Sequence, residues 1–268
     1  MRKRFLYLIS AFILLTIIIA APHVISALTC DHRLQYKEIT YTSPKIPPAL
    51  NGYIIAFLVD THDLKRDEMQ QIVDNINARQ IDLLLLGGDF RSFNAVPTLT
   101  VLANVKARDG VYGVMGTHDI YKELKENMPK YGMVFLYNQG LTLKPGFFLG
   151  GVSDLMTHKP RVHKALENVG PDDFVLLLSH NPALALEQDI SRADLMLSGH
   201  THGGLMNFFG LWSPALAIRN PYGIKFRSGW YKSATTDILT SNGTGYTEKI
   251  PRIFARPPDI YLTLKVEP

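Results

Sequence analysis

The sequence predicts an α/β fold, layered from mostly parallel central strands, with further strands closing a second sheet and an N-terminal transmembrane helix in front. Three observations predict it. Short runs of Val, Leu and Ile recur along the chain and end in Gly, His or Asp, and runs that short and apolar suit strands buried on both faces. Segments with apolar residues at helical spacing alternate with them, which gives βαβ order and parallel pairing. At the N-terminus lies an apolar run of membrane-spanning length.

That first run extends from Phe5 to Ala21, broken only by Ser10 and Thr16. With the residues out to Leu28 it reaches the ~20 needed to cross a bilayer as a helix. Arg2, Lys3 and Arg4 precede it, which favours a cytoplasmic N-terminus and a domain on the outer side of the cytoplasmic membrane, although Arg33, Lys37 and Lys45 weaken the asymmetry. A cleaved signal peptide is the alternative. Ala20 and Ala21 are small enough, but Pro22 follows and Ile19 is a poor partner. The expected organisation is a single-pass anchor over residues 1–29, a linker and edge strand over 30–50, and the main domain over 51–268.

Within that frame, Tyr36 to Tyr41 alternates as an edge strand does, and Pro44, Pro47 and Pro48 end it. Ile54 to Val59 is the first buried strand. Arg66 to Arg79 places Met69, Ile72, Val73 and Ile76 on one helical face, a crossover helix with a core side. Leu83 to Leu86 is the second strand and Val111 to Met115, interrupted by Gly113, the third. Tyr121, Leu124 and Met128 repeat the helical spacing after it. Phe174 to Leu178 and Leu195 to Leu197 are further buried strands. The Gly-rich, aromatic stretch from Phe208 to Tyr246, followed by Asp259 to Leu264, reads as the strands that close a second sheet.

Five blocks sit where those strands end: Asp60-Thr61-His62, Gly88-Asp89, Gly116-Thr117-His118-Asp119, Ser179-His180-Asn181-Pro182 and Gly199-His200-Thr201-His202-Gly203-Gly204. Five of the nine histidines fall inside them. In open α/β sheets that edge is where sites are built. Imidazole with carboxylate and no thiolate suits Zn, Mn or Fe at a hydrolytic centre better than a structural zinc. Structural histidines have no reason to keep that register after successive strands.

With these blocks in this order, the chain resembles the calcineurin-like metallophosphoesterases, whose pattern is Asp-x-His, Gly-Asp, Gly-Asn-His-Asp or Glu, a lone His after a strand, and Gly-His-x-His. The resemblance runs from about Tyr36 to the C-terminus. Gly-His-Thr-His-Gly-Gly is similar to a membrane-associated bacterial branch, that of UDP-diacylglucosamine pyrophosphohydrolases and other lipid-linked phosphodiesterases. The resemblance implies a layered βαβ fold of two central sheets flanked by helices, with 51–268 as the catalytic domain. It implies hydrolysis of a phosphodiester or pyrophosphate bond in a lipid-linked substrate. Two divalent ions (Mn, Fe or Zn) would serve it, one held by Asp60, His62 and His202, the other by His180 and His200, with Asp89 bridging. Such ions, about 3.5–4 Å apart, clamp a phosphoryl group and turn a shared water into a nucleophile. His118 would act on the leaving oxygen, and Asp119 would orient its ring.

Thr117 departs from the pattern, standing where the family has a ligating Asn. A hydroxyl one atom shorter and a weaker neutral donor predicts a second site of lower affinity, or one completed by water. A degenerate metal-binding scaffold on the same fold is the competing function.

Other classes fit worse. An amidohydrolase barrel carries His-x-His on its first strand, a metallo-β-lactamase fold wants His-x-His-x-Asp-His, and no Gly-x-x-x-x-Gly-Lys-Ser/Thr run occurs. The net charge is +4, most of it from the three basic residues at the N-terminus, and no basic stripe interleaved with aromatics points to nucleic acid. Cys30 is the only cysteine, so no intramolecular disulfide forms. The apolar stretch Leu205 to Trp212 is either buried or a loop that meets acyl chains. Arg161, Lys164, Arg219, Lys225 and Arg227 are candidate phosphate or headgroup binders, each weighed against an ordinary solvated role.

Overall fold

Every apolar run that precedes a His/Asp block forms a strand. The structure is a computed structural model and describes residues 2–29, 35–62, 64–90, 94–208, 213, 226–245 and 252–267. In chain order the first half contains α1 (Arg2–Thr29), β1 (Gln35–Ser43), β2 (Ile54–Leu58), α2 (Arg66–Ala78), β3 (Leu83–Leu86), α3 (Val96–Leu102), β4 (Val111–Gly113), α4 (Tyr121–Asn127) and β5 (Val134–Phe135). The second half contains β6 (Gln139–Lys144), β7 (Phe147–Gly151), α5 (Val162–Ala165), β8 (Phe174–Leu178), α6 (Leu184–Glu187), β9 (Leu195–Ser198), β10 (Gly229–Ser233), β11 (Thr236–Thr240) and β12 (Pro258–Val266).

Two six-stranded sheets result, ordered β1-β12-β2-β3-β4-β5 and β10-β11-β9-β8-β7-β6. The central pairs β2–β3–β4–β5 and β7–β8–β9–β11 are parallel. Strand residues alternate between two apolar environments. Ile55, Phe57, Leu83 and Leu85 face Leu176, Leu178, Leu195 and Leu197 in the core between the sheets. Ala56, Leu58, Leu84 and Leu86 pack outward on Met69, Ile72, Val73 and Ile76 of α2 and on Leu99 and Leu102 of α3. Val175, Leu177 and Met196 pack outward on Val162, Ala165 and Leu184. Strands apolar on both faces need a layer on each side, and the outcome is helices, sheet, sheet, helices.

The predicted crossover helix is α2, and Leu124 and Met128 are buried at α4. One expectation is corrected. Asp259 to Leu264 does not close the second sheet: β12 lies in the first, parallel to β1 and antiparallel to β2. Ile260, Leu262 and Leu264 fill the core between the sheets while Tyr261 faces the α2 side, so the last strand covers the open edge of β2 and leaves β1 outermost, the edge position its alternation predicts. The Phe208 to Tyr246 stretch contributes the β10–β11 hairpin to the second sheet; its residues 209–212, 214–225 and 246 lie outside the described residues, as do Cys30 and Arg33.

The 28-residue α1 continues through Pro22 and is about 42 Å long at the α-helical rise. It is long and apolar enough to cross a membrane, and Phe5, Phe12, Ile18 and Ile25 are exposed along it. Its C-terminal turns meet the domain. The Phe254 N–H donates to Ser26 Oγ at 2.8 Å, and the His23 ring stacks on Phe208 at 5.7 Å and meets the edge of Phe254 at 5.1 Å.

Candidate metal centre

The parallel strands of both sheets end at the same edge, and the five blocks converge there. Three blocks follow β2, β3 and β4 of the first sheet, and two follow β8 and β9 of the second. Backbone bonds lace these loops together. The Asp60 N–H donates to Gly88 O at 2.9 Å, the His62 N–H to Asp89 O at 3.2 Å, and the Gly199 N–H to His180 O at 2.9 Å. Glycine permits the close approaches. A Cβ on Gly199 would lie 2.6 Å from Asp60 Oδ2, and one on Gly116 would collide with the Asp89 carboxylate.

The backbone at the site departs from ordinary geometry. Asp60, His62, Asp89, His200 and His202 all adopt left-handed φ, between 36° and 69°. Only ten non-glycine residues do so among those described, so half of this strain is gathered on the expected ligands. Strained φ costs of order 1–3 kcal/mol per residue and persists only where surroundings over-determine it. Here it aims consecutive loop side chains at one point.

That point is defined by Asp60 Oδ1, which is 3.9 Å from each of the His62, His180 and His202 Nε2 atoms. Asp60 is fully buried, and Oδ1 has no hydrogen-bond donor, whereas Oδ2 accepts the His200 N–H at 2.9 Å. A buried carboxylate oxygen without a donor, ringed by imidazole nitrogens, fits a cation. Asp60, His62 and His202 form one group whose ligand atoms lie within 4.8 Å of one another; Asp60, Asp89 and His180 form another. Asp89 Oδ2 sits between them, 3.7 Å from His62 Nε2 and 3.3 Å from His180 Nε2. On the far side His200 Nδ1 is 3.2 Å from His180 Nε2 and 3.4 Å from Thr117 Oγ1.

Hydrogen bonds behind the rings orient them. His180 Nδ1–H donates to Gly87 O at 2.9 Å; a carbonyl can only accept, so in the neutral ring the Nε2 lone pair faces the cluster. Arg252, fully buried, donates to Asn242 O at 2.6 Å, Ala255 O at 3.1 Å, Gly245 O, and His202 Nδ1 at 3.1 Å. A neutral His202 then carries its proton on Nε2, opposite His62 Nε2 at 3.1 Å. A cation there has to displace that proton. Nothing in the sequence patterns pointed to Arg252.

Charge is concentrated accordingly. Burial, with the Asp89 charge adding to it, pushes Asp60 up to about 7. Burial alone would raise Asp89 too, but the His180 and His62 rings and the His118 N–H hold it well below the usual carboxylate range. Burial would lower His180, yet Asp89 and Asp60 raise it well above the usual imidazole value. Burial and then the His180 charge bring His200 down to about 4; burial and Arg252 bring His202 far down. A divalent cation among these side chains favours every deprotonated form.

The third block behaves differently from expectation. His118 is exposed; its N–H donates to Asp89 Oδ1 at 2.7 Å and its ring centroid is 5.7 Å from that of His62. Asp119 does not orient that ring. Its carboxylate accepts the N–H groups of Asp89 at 2.7 Å, Phe90 at 3.0 Å and Gly116 at 2.8 Å, which ties the third loop to the second. A buried acid accepts from three backbone donors here, a demand set by loop packing that no local motif encodes.

A further carboxylate, missed in the sequence, stands beside the cluster. Asp154, buried in the loop after β7, accepts the Thr117 hydroxyl at 3.3 Å. Of the candidate phosphate binders, Arg161 and Lys164 line one cavity of about 390 Å³ with Tyr137, Asn138, His158 and Lys159. Arg227 offers its backbone oxygen to Thr201 Oγ1 at 2.6 Å, and Arg219 and Lys225 lie outside the described residues. Leu205 is buried and Phe208 meets α1.

The convergence of Asp-x-His, Gly-Asp and Gly-His-x-His on one cluster of ligand atoms agrees with comparisons to known proteins. The chain is 29% identical over 257 residues to the metallophosphoesterase YkuE of Bacillus subtilis, covering 87% of this chain and 86% of that one. It is 29% identical over 253 residues to a bovine (Bos taurus) transmembrane protein with metallophosphoesterase domain, covering 84% of this chain but only 55% of that protein. Among solved structures, a dimetal phosphatase from Danio rerio aligns with a TM-score of 0.42 and 11% identity over 72% of this chain and 88% of that one. The family model described as calcineurin-like phosphoesterase matches residues 54–204, the stretch that runs from β2 to the end of the Gly-His-x-His block; the chain belongs to that family.

Proposed function

We propose that the chain is a membrane-anchored phosphoesterase that holds two divalent cations and hydrolyses a phosphodiester or pyrophosphate bond in a lipid-linked substrate. The observation that carries the metal-dependent reading is Asp60 Oδ1, buried without a donor and 3.9 Å from three imidazole nitrogens. Asp60, His62 and His202 would hold the first cation, His180 and His200 the second, and Asp89 Oδ2 lies where a shared carboxylate would bridge them. Cations so held neutralise charge on the phosphoryl oxygens and lower the pKa of water. Four buried carboxylates, Asp60, Asp89, Asp119 and Asp154, surround the centre. Among the described residues no lysine or arginine forms an ion pair with any of them.

The protein's own groups divide the remaining work. His118, exposed at the rim while its N–H is pinned to Asp89, is free to donate a proton to the leaving oxygen. Asp119 keeps the His118 loop against the Asp89 loop. The lipid-linked substrate is favoured by the docking of α1: Ser26 bonds to Phe254, two residues from Arg252, whose guanidinium touches His202. A membrane-length helix that ends there holds the metal loops near the headgroup layer, which raises the effective concentration of a lipid-linked substrate. Residues 1–29 serve as anchor, 30–50 as linker and edge strand, and 51–268 as catalytic domain, outside the cytoplasmic membrane by the basic residues at 2–4.

The test is turnover by the detergent-purified, metal-supplemented protein on lipid-linked pyrophosphates, lipid phosphodiesters and a simple soluble diester. Preference for a lipid-linked substrate is expected; equal turnover of the soluble diester alone would remove the lipid assignment. Protease digestion of intact spheroplasts tests sidedness, and a domain protected until the membrane is broken contradicts the outward placement.

A further inference from the structure

Thr117 occupies the position of an amide ligand, and Asp154 stands behind it. The Asp154 carboxylate is fixed on one side: Oδ2 accepts the Met156 N–H at 3.0 Å, the Thr157 N–H at 2.9 Å and the Thr157 hydroxyl at 2.8 Å. Oδ1 is thereby turned to Thr117 Oγ1, 3.3 Å away. The side chain is almost completely buried. Among the described residues it forms no ion pair with a lysine or arginine, and its carboxylate acts on the His180 and His200 rings of the cluster. Thr117 Oγ1 in turn is 3.4 Å from His200 Nδ1.

A hydroxyl has one hydrogen and two lone pairs. With that hydrogen given to Asp154, the lone pairs of Thr117 turn toward His200, the second-cation side of the cluster. We propose that Asp154 is a positioning residue for the second cation, making the Thr117 hydroxyl an oriented ligand and adding a buried negative charge behind it. The pair then supplies part of what a single Asn amide oxygen would: an oxygen whose electron density is raised by the group behind it. This rests on the two-cation reading of the site.

The experiment is a Mn2+ titration of the metal-free, detergent-purified full chain, read by calorimetry and elemental analysis, for wild type, Asp154→Asn, Asp154→Ala and the double variant Asp154→Ala with Thr117→Asn. Asp154→Asn keeps an oxygen for the Met156 and Thr157 donors but presents an N–H2 to Thr117, which reverses the hydroxyl. Wild type should bind two ions. Asp154→Asn and Asp154→Ala should weaken the second ion by about 10–100-fold, the usual consequence of losing such a supporting group, and leave the first unchanged. The double variant should recover the second ion, because an amide oxygen needs no partner to orient it. Two ions in wild type with unchanged second-ion affinity in both single variants overturns the proposal alone. Failure of the double variant to recover the ion does so too, since loss of the 154–157 loop would then explain the effect. A single ion in wild type overturns the two-cation reading, and this proposal with it.

Discussion

The two halves of the metal cluster are built unequally. The first, Asp60, His62 and His202, draws a carboxylate and two imidazoles from strained loops, with Arg252 holding His202 from behind. The second has His180, aligned by the Gly87 carbonyl, His200, and a threonine that leans on a neighbouring acid. Asp60 stands in both groups, and Asp89 Oδ2, 3.7 Å from His62 Nε2 and 3.3 Å from His180 Nε2, faces both. Strong ligands on one side permit a weaker set on the other, provided the shared carboxylate stays in place.

The largest expected effect therefore comes from removing what the halves share. Asp89→Ala should abolish turnover and release both ions, seen as loss of metal by elemental analysis together with loss of activity. Retention of one tightly held ion would break the equivalence of the halves at that residue. His118→Ala should keep both ions and lose about 10²–10⁴-fold in turnover, the range for a positioned general acid; a parallel loss of metal would make His118 a ligand instead.

Next in size is a dependence on pH. Asp60 and Asp119, pushed up to about 7 chiefly by burial, bind protons in the folded, metal-free protein that the unfolded chain has already released. Their contribution to stability is present at low pH and is lost as pH rises from about 4 to about 7. A cation on Asp60 removes the penalty for ionising it. His200 and His202, held below the usual imidazole value, contribute in the opposite sense across that window, so the quantity to read is the gain in thermal midpoint from added Mn2+, which should grow as pH rises from about 4 to about 7; a gain independent of pH would contradict protonation of Asp60 in the metal-free state.

A smaller effect sharpens the comparison. Thr117→Asn should tighten the second ion and leave the first as it is. Unchanged affinity in a metal titration, with full occupancy after extensive dialysis, would mean that Thr117 with Asp154 already equals an amide.

The same contrast explains what the sequence could disclose. Strands apolar on both faces, the α2 stripe of Met69, Ile72, Val73 and Ile76, and the five blocks were legible because each is a local pattern tied to one element. The convergence of the blocks followed from strands ending at one edge. Asp154 and Arg252 were not legible, because their importance lies in contacts with Thr117, 37 residues away, and His202, 50 residues away. Asp119 was misassigned for the same reason: its partners are backbone N–H groups of another loop. β12 went to the wrong sheet because a local run of strand-forming residues says nothing about which edge the strand covers.

The central claim is a two-cation hydrolytic centre, and the most direct measurement counts both properties on one preparation. Full-length protein purified in detergent with Mn2+ present should carry two ions per chain by elemental analysis and turn over a generic phosphodiester, with both lost in Asp89→Ala. A chain that retains its fold yet binds no divalent ion would contradict the account, and one that binds two but hydrolyses neither simple diesters nor lipid-linked pyrophosphates would leave a metal-binding scaffold in its place.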